Sequence, residues 1–440
     1  MKLARYAPSL ISLSLLACGA AGERSAMAPS AGYAAPGYPQ PEAMAAEAPS
    51  EEAAAPAPAA TAGLEMADRS AAAGVRAGEW DDNANYRDFL EYLEGAESGP
   101  TAGLDVSVRR FVVVKDKAGK AVPNCRLSVS DEKQHTVELS TLASGRALLF
   151  PRAEGLSGKR LTVSARCGSS TASAKHDLSG SDGVITLALA DGRILPTTRT
   201  IDVAFVLDTT GSMSEEIAAV KATLAKVAST LETPLSSVRV GLVEYKDKSD
   251  DFVTRVYPMT TDIAAFQKKI AHIDANGGGD MPEDMNSGLA KAIDNLQWSE
   301  QSVARMTFVI ADAPPHLDYG SKYTDSMRRA SKKGIKVFTI AASGMNDVGQ
   351  LVFRQIAQYT GGTNMFVLRG GAGPQSTGAG DAKSGCGGTH ENYQSGNLDQ
   401  LITRKIKSEL ASVDRDPTRI AGLGKDENAK PCSERLVVAE

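Results

Sequence analysis

The sequence predicts an α/β protein with a doubly wound, mostly parallel sheet in its C-terminal half, preceded by a small all-β sandwich and a disordered N-terminal tether. Three observations lead there. From residue 198 onward, apolar runs of strand length (IDVAFVL, SVRVGLVEY, RMTFVIAD, IKVFTIAA, TNMFVL) alternate with segments whose apolar residues recur every three or four positions. Strands apolar on both faces belong to a sheet covered on both sides by helices. Between 104 and 195, short alternating segments broken by Gly, Asp and Ser turn formers follow the rhythm of a sandwich instead. From Gly19 to about Gly74 the chain is Ala, Pro, Glu and Ser with almost no large apolar side chain, a composition that cannot offset its own ordering entropy.

Taken in order, residues 1–17 read as a lipoprotein signal peptide. Lys2 and Arg5 precede an apolar run at 10–17 that is too short to span a bilayer. The ending Leu15-Leu16-Ala17-Cys18 resembles a bacterial lipobox. The resemblance implies acylation of Cys18, palmitate included, and membrane contact through that N-terminal lipid only. Gly19 rather than Asp follows the cysteine, so the outer membrane of a bacterial envelope is favoured. Residues 18–77 form the Ala/Pro-rich linker. Residues 78–98 hold a short helix with Asp82 or Asn83 as cap, and Tyr86, Phe89, Leu90 and Leu93 form a stripe that docks on a neighbouring domain.

The sandwich spans 103–196. Its DKAGKAVPNCRLSVS segment and later SGRALLFPR are similar to carboxypeptidase regulatory-like or transthyretin-like domains. The α/β domain spans 198–414, with helices at 215–231, 262–273, 283–296, 322–333, 348–359 and 398–413. Residues 252–259 follow their predecessor through a short polar turn and so form an antiparallel edge strand. A Gly-rich insert at 370–396 reads as a flexible loop leaving the carboxyl end of its strand. The tail, 415–440, has little periodicity.

The chemistry concentrates in FVLDTTGSM, residues 205–213. An apolar strand ends at Asp208, and hydroxyls follow at Thr210 and Ser212 before a helical segment. One carboxylate and two hydroxyls offer oxygen and neither nitrogen nor sulfur. That set suits a hard octahedral cation, magnesium or manganese, with calcium as a third option. Here the chain resembles the von Willebrand factor A domain family, a Rossmann-like fold whose metal-ion-dependent adhesion site opens with D-x-S-x-S. Thr210 stands where the family has its first Ser.

Two further segments extend the resemblance. NGGGDMPED, residues 276–284, looks like the glycine loop of integrin β-type and related A domains, and implies Glu283 as the residue that approaches the metal. In the other common variant a Thr occupies the place of Asp280, which keeps Asp280 as the competing candidate. MTFVIADAPPH, residues 306–316, implies that Asp312 faces the metal through water. The family pattern further implies an open coordination position for a carboxylate from a protein partner. Elementary geometry agrees: Asp208 and Asp312 each end a buried apolar run, on the rim where open α/β sheets bind ligands. Each residue alone is a common cap or turn former. The specificity lies in three motifs in order.

Setting Cys18 aside leaves Cys125, Cys167, Cys386 and Cys432, which allow three pairings. Two intradomain disulfides, 125–167 and 386–432, are favoured, each worth about 2–4 kcal/mol. The formal charge of −5 becomes −7 once Lys2 and Arg5 leave with the signal, and the absence of a basic cluster argues against nucleic acid as partner. Thr210 occupies the position where haloacid-dehalogenase-type phosphatases need a second carboxylate, and neither G-x-S-x-G nor H-E-x-x-H occurs. The expectation is therefore a non-enzymatic, metal-dependent adhesion lipoprotein of the cell envelope. The alternative is an assembly or chaperone-like cofactor of an envelope complex, and a metal-dependent hydrolase ranks behind both.

Overall fold

The computed structural model describes residues 76–95, 104–230, 236–342, 344–367 and 394–423. The described residues fall within one compact unit, Ala60–Glu440. The expectations for the signal peptide, Cys18, Cys386, Cys432 and most of the linker, insert and tail lie outside them.

The chain opens with strand β1 (Arg76–Trp80) and helix α1 (Tyr86–Gly95). Seven strands follow: β2 (Arg110–Lys115), β3 (Arg126–Ser130), β4 (Thr136–Ser140), β5 (Arg146–Leu149), β6 (Arg160–Cys167), β7 (Ser170–Asp177) and β8 (Val184–Ala188). They form two sheets, β5-β2-β8 and β4-β3-β6-β7. Alternate residues such as Val112, Val114, Leu127, Val129, Leu161 and Val163 fill the core between them. A disulfide joins Cys125 to Cys167.

The remainder alternates strand and helix. It runs β9 (Arg199–Asp208), α2 (Ile217–Thr230), β10 (Ser236–Tyr245), β11 (Thr254–Thr260), α3 (Ile263–Ala271), α4 (Met285–Asn295) and β12 (Ala304–Ala311). Then come α5 (Tyr323–Lys333), β13 (Ile335–Ala341), α6 (Asp347–Thr360), β14 (Asn364–Val367), β15 (Gln394–Asn397) and α7 (Leu398–Ser412). The sheet order is β11-β10-β9-β12-β13-β14-β1-β15. Strands β9, β10, β12, β13 and β14 run parallel, and β11 is the antiparallel edge. Strand periodicity divides the core in two. Val203, Phe205 and Leu207 meet α2, α3 and α7, whereas Ala204 and Val206 meet α4, α5 and α6.

The structure departs from the sequence reading at both ends of this sheet. Residues 76–80, assigned to the linker and the short helix, form β1 between β14 and β15. Backbone pairing on both edges and the packing of Trp80 on Phe366, ring centroids 4.4 Å apart, hold a sequence with no strand pattern of its own. The sandwich is thus inserted between the first strand of the sheet domain and the rest. Residues 394–396, read as the end of a loop, begin β15 and pair with β1.

Helix α1 starts at Tyr86, and Asp82 is not its cap. Asp82 instead pairs with Arg354, and Asp81 takes the turn's amides from Asn83 and Ala84. Tyr86 and Phe89 are buried, so the stripe serves core packing. Covered by these side chains on one side and the sheet on the other, α6 is buried at every position from Gly349 to Thr360.

The sandwich grips the sheet domain through polar contacts. Asn124 donates to Ser302 O at 2.7 Å, Arg328 donates to Ala153 O at 2.9 Å, and Arg146 donates to Pro417 O at 2.6 Å.

Candidate functional site

Strand β9 delivers Asp208 to the carboxyl end of the sheet with no exposed surface. Its Oδ1 accepts from the Thr210 amide at 2.9 Å and the Thr210 hydroxyl at 2.7 Å. The Tyr245 hydroxyl at the end of β10 donates to Oδ2 at 3.2 Å. From Thr210 the chain of oxygens continues. Thr210 Oγ1 lies 3.2 Å from Ser212 Oγ, which donates to Asp312 Oδ1 at 3.0 Å. Residues Gly211–Glu215 form a 3-10 turn, so α2 begins at Ile217 rather than at 215. Asp208, Thr210, Ser212 and Asp312, from two adjacent parallel strands, therefore converge.

The glycine loop is fastened to this turn by backbone bonds from Gly211 N to Gly277 O and from Asn276 N to Thr209 O, 2.9 and 3.1 Å. Gly278 has a positive φ of 68°, and a Cβ there would lie 3.0 Å from Glu283 Oε1 and 3.1 Å from Thr210 Cβ. Only glycine permits that close approach. Glu283 is consequently buried beside Thr210, whereas Asp280 is exposed to solvent. Glu283 is also held from the far side, its amide donating to Pro314 O at 3.0 Å and its carbonyl accepting from His316 N at 3.2 Å.

Burial sets the electrostatics. It pushes Asp208 up to about 7, with the Asp312 charge adding to the effect and the Thr210 and Tyr245 bonds opposing it. Glu283 is pushed up to about 8, by burial first and then by the charges of Asp208, Asp247, Asp250 and Asp280. Burial also raises Asp312. Glu283 Oε2 is buried without a hydrogen-bond partner. An orphaned carboxylate oxygen among buried acids marks a shortage of positive charge, and the donor set fits a hard oxygen-seeking cation. Among the described residues no three His, Cys, Asp or Glu side chains group as a ligand set. The donors here are mixed, hydroxyls together with carboxylates.

Sequence reasoning missed the support around this cluster. The β10–β11 turn, read only as a polar turn, holds the glycine loop: Asp250 Oδ1 accepts from Gly278 N at 2.8 Å, and buried Lys246 binds both Asp251 and Asn276. Twenty-eight residues separate Asp250 from Gly278, and no local pattern announces the contact. His316, at the end of the segment that carries Asp312, stacks on Tyr319 with centroids 3.7 Å apart and turns its Nε2 towards Asp247 at 3.2 Å.

Residues 202–368 match the model of the von Willebrand factor A domain, so the chain carries such a domain. Over 142 residues it is 30% identical to the alpha-protein kinase vwkA of Dictyostelium discoideum, covering 31% of this chain and 22% of the kinase. It is 34% identical to von Willebrand factor A domain-containing protein 7 of the rat, covering 31% of this chain and 14% of the relative. The chain thus spans less than a quarter of either relative. A structure of proximal thread matrix protein 1 from the mussel byssus, described as having a zinc-occupied MIDAS motif, covers 38% of this chain and 41% of its own. Its TM-score is 0.31 at 13% identity.

Proposed function

We propose that this von Willebrand factor A domain is a cation-dependent protein-binding module. Thr210, Ser212 and Glu283 would hold magnesium or manganese, with calcium as a third option, and Asp208 and Asp312 would act mostly through water and set the charge at the ion. Domains of this family mediate protein–protein interaction. The bound cation would supply residual positive charge at the rim, able to attract an acidic side chain of a protein partner. The chain's own residues do the remaining work. Tyr245 and the Thr210 amide fix Asp208, Gly278 admits Glu283, and Asp250 holds the glycine loop in place.

The observation that carries this reading is the buried Glu283 Oε2 without a hydrogen-bond partner, in a cluster whose burial raises all three carboxyl groups. Asp280, exposed at the loop tip, would contribute field rather than a ligand atom.

The reading extends to an adhesion lipoprotein of the bacterial envelope, anchored through Cys18 and favouring the outer membrane. That part rests on Leu15-Leu16-Ala17-Cys18 alone, since the curated relatives named above are eukaryotic. Cross-linking capture with magnesium and with chelator, on the parent and on Asp208→Ala, tests the binding role. Proteins captured by the parent should be lost in both chelator and variant. An identical captured set under all conditions would contradict it.

A further inference from the structure

Helix α7 carries charge on two faces, and only one of them is neutralised by its neighbours. Leu398, Leu401, Ile402 and Ile406 turn inward and join the core. The charges beside them are matched: Lys405 pairs with Glu79, and Glu409 with Lys336. The outer face of α7, together with the end of α2, lines an open groove of about 540 Å³. Four cations line it, Lys226, Arg404, Lys407 and Arg415, against the single carboxylate of Asp399. The whole chain is acidic by contrast, at −5.

The acids within reach are already engaged. Asp399 pairs with Lys226 at 2.6 Å. Asp414, next to Arg415 in sequence, binds Arg193 and Arg199, and the Asp416 carboxylate accepts from the Thr418 amide and hydroxyl. Arg415 donates to the Ser408 hydroxyl at 3.3 Å. Arg404 and Lys407 are exposed and have no carboxylate partner among the described residues.

Spacing makes these cations a track. Arg404, Lys407, Ser408 and Ala411 recur at three- or four-residue intervals and share one helix face. Arg415, just past the helix, extends the track to on the order of 16 Å, the length of about five residues of extended chain. The groove is remote from the candidate cation site at its far end. Asp414 there pairs with Arg199, the first residue of β9, whereas Asp208 is the last.

The lining selects the kind of partner. Guanidinium groups bind carboxylates in two-pronged fashion. No aromatic side chain lines the groove for stacking on bases. None of the exposed large apolar residues among the described ones, Ile194, Val256, Met281 and Val348, lines it for insertion into lipid. We propose that this groove docks an acidic segment of a protein partner, with Arg404, Lys407 and Arg415 pairing its carboxylates. The contact is separate from the cation reading above: salt weakens it and chelator leaves it unchanged.

The test is fluorescence anisotropy of a labelled oligoglutamate peptide with the purified full-length chain, in chelator at low salt. The parent should bind, and Arg404→Glu with Lys407→Glu should weaken binding by about tenfold or more. Arg404→Gln with Lys407→Gln should fall between the two, a check that does not depend on the charge reversal folding well. Lys291→Glu with Lys322→Glu makes the same change of charge on α4 and at the start of α5, on the other face of the sheet. It should stay within about twofold of the parent. No binding by the parent, or parent affinity in both groove variants, overturns the proposal. So does equal weakening in the Lys291, Lys322 variant. Tighter binding of phosphatidylglycerol vesicles or of an oligothymidylate strand, lost in the same groove variants, overturns a protein as the partner.

Discussion

Asp82 and Arg354, 272 residues apart, form a two-pronged buried ion pair, with Nε to Oδ2 at 2.9 Å and Nη2 to Oδ1 at 2.5 Å. Their side chains are 2% and 1% exposed. The Arg354 guanidinium also lies 3.9 Å from the Tyr92 ring centroid and 4.8 Å from that of Trp80. Burial raises Asp82 against the pull of Arg354, so the pair is costly to form and costlier to split. Asp82→Ala, which strands Arg354, should destabilise the protein by about 3–5 kcal/mol in urea unfolding, whereas Asp82→Leu with Arg354→Met should recover most of that loss. A single variant as stable as the parent would show that the pair does not clamp β1 and α1.

The insertion of the sandwich behind β1 has a consequence for fragments. A fragment starting at Thr198 leaves β15 without its partner strand and uncovers Phe366 and the outer face of α6. It should show reduced near-ultraviolet dichroism and poor amide protection in β14 and α7, while a fragment that retains residue 76 onward should be native. Equal protection in both fragments would mean that β1 is dispensable.

The raised carboxyl groups predict opposite pH trends with and without cation. Asp208 at about 7 and Glu283 at about 8 hold protons that the unfolded chain has already lost. Folded-state values raised above the unfolded ones mean that cation-free stability is fully present below about pH 4 and falls as pH rises towards about 8. Cation affinity should rise through the upper part of that window, because the cation displaces those protons. Melting temperatures in chelator should therefore drop between about pH 5 and pH 8, and saturating magnesium should offset the drop. A flat profile in chelator would contradict the assigned shifts.

The Cys125–Cys167 disulfide joins residues 42 positions apart in the sandwich. Replacing both with Ser should lower stability by about 2–4 kcal/mol, read as a shift of the sandwich transition under non-reducing conditions. An unchanged transition would argue that the bridge is redundant with the Leu127, Val129, Leu161 and Val163 core.

The central strands were legible because β9 and β12 are apolar on both faces, which a covered parallel sheet alone requires. The edge strand β11 was legible from the polar turn before it. Strands β1 and β15 were not, since RAGEW and QSGN carry no alternation and owe their conformation to pairing with each other and with β14. Strand β7 does not stand out in the sequence, since STASAKHD carries no large apolar side chain and no residue in it is buried. At the site, the position of Asp208, Thr210, Ser212 and Asp312 follows from motif order. The choice between Asp280 and Glu283 does not, because it depends on the closeness of Gly278 to Thr210, a contact across 68 residues.

The most direct test of the account is a calorimetric titration of magnesium or manganese into the full-length protein and its site variants. The account predicts one site in the parent, abolished in Asp208→Ala, weakened in Ser212→Ala, and weakened far more by Glu283→Gln than by Asp280→Asn. Parent-like binding in Asp208→Ala and Glu283→Gln, or no binding in the parent, would contradict it.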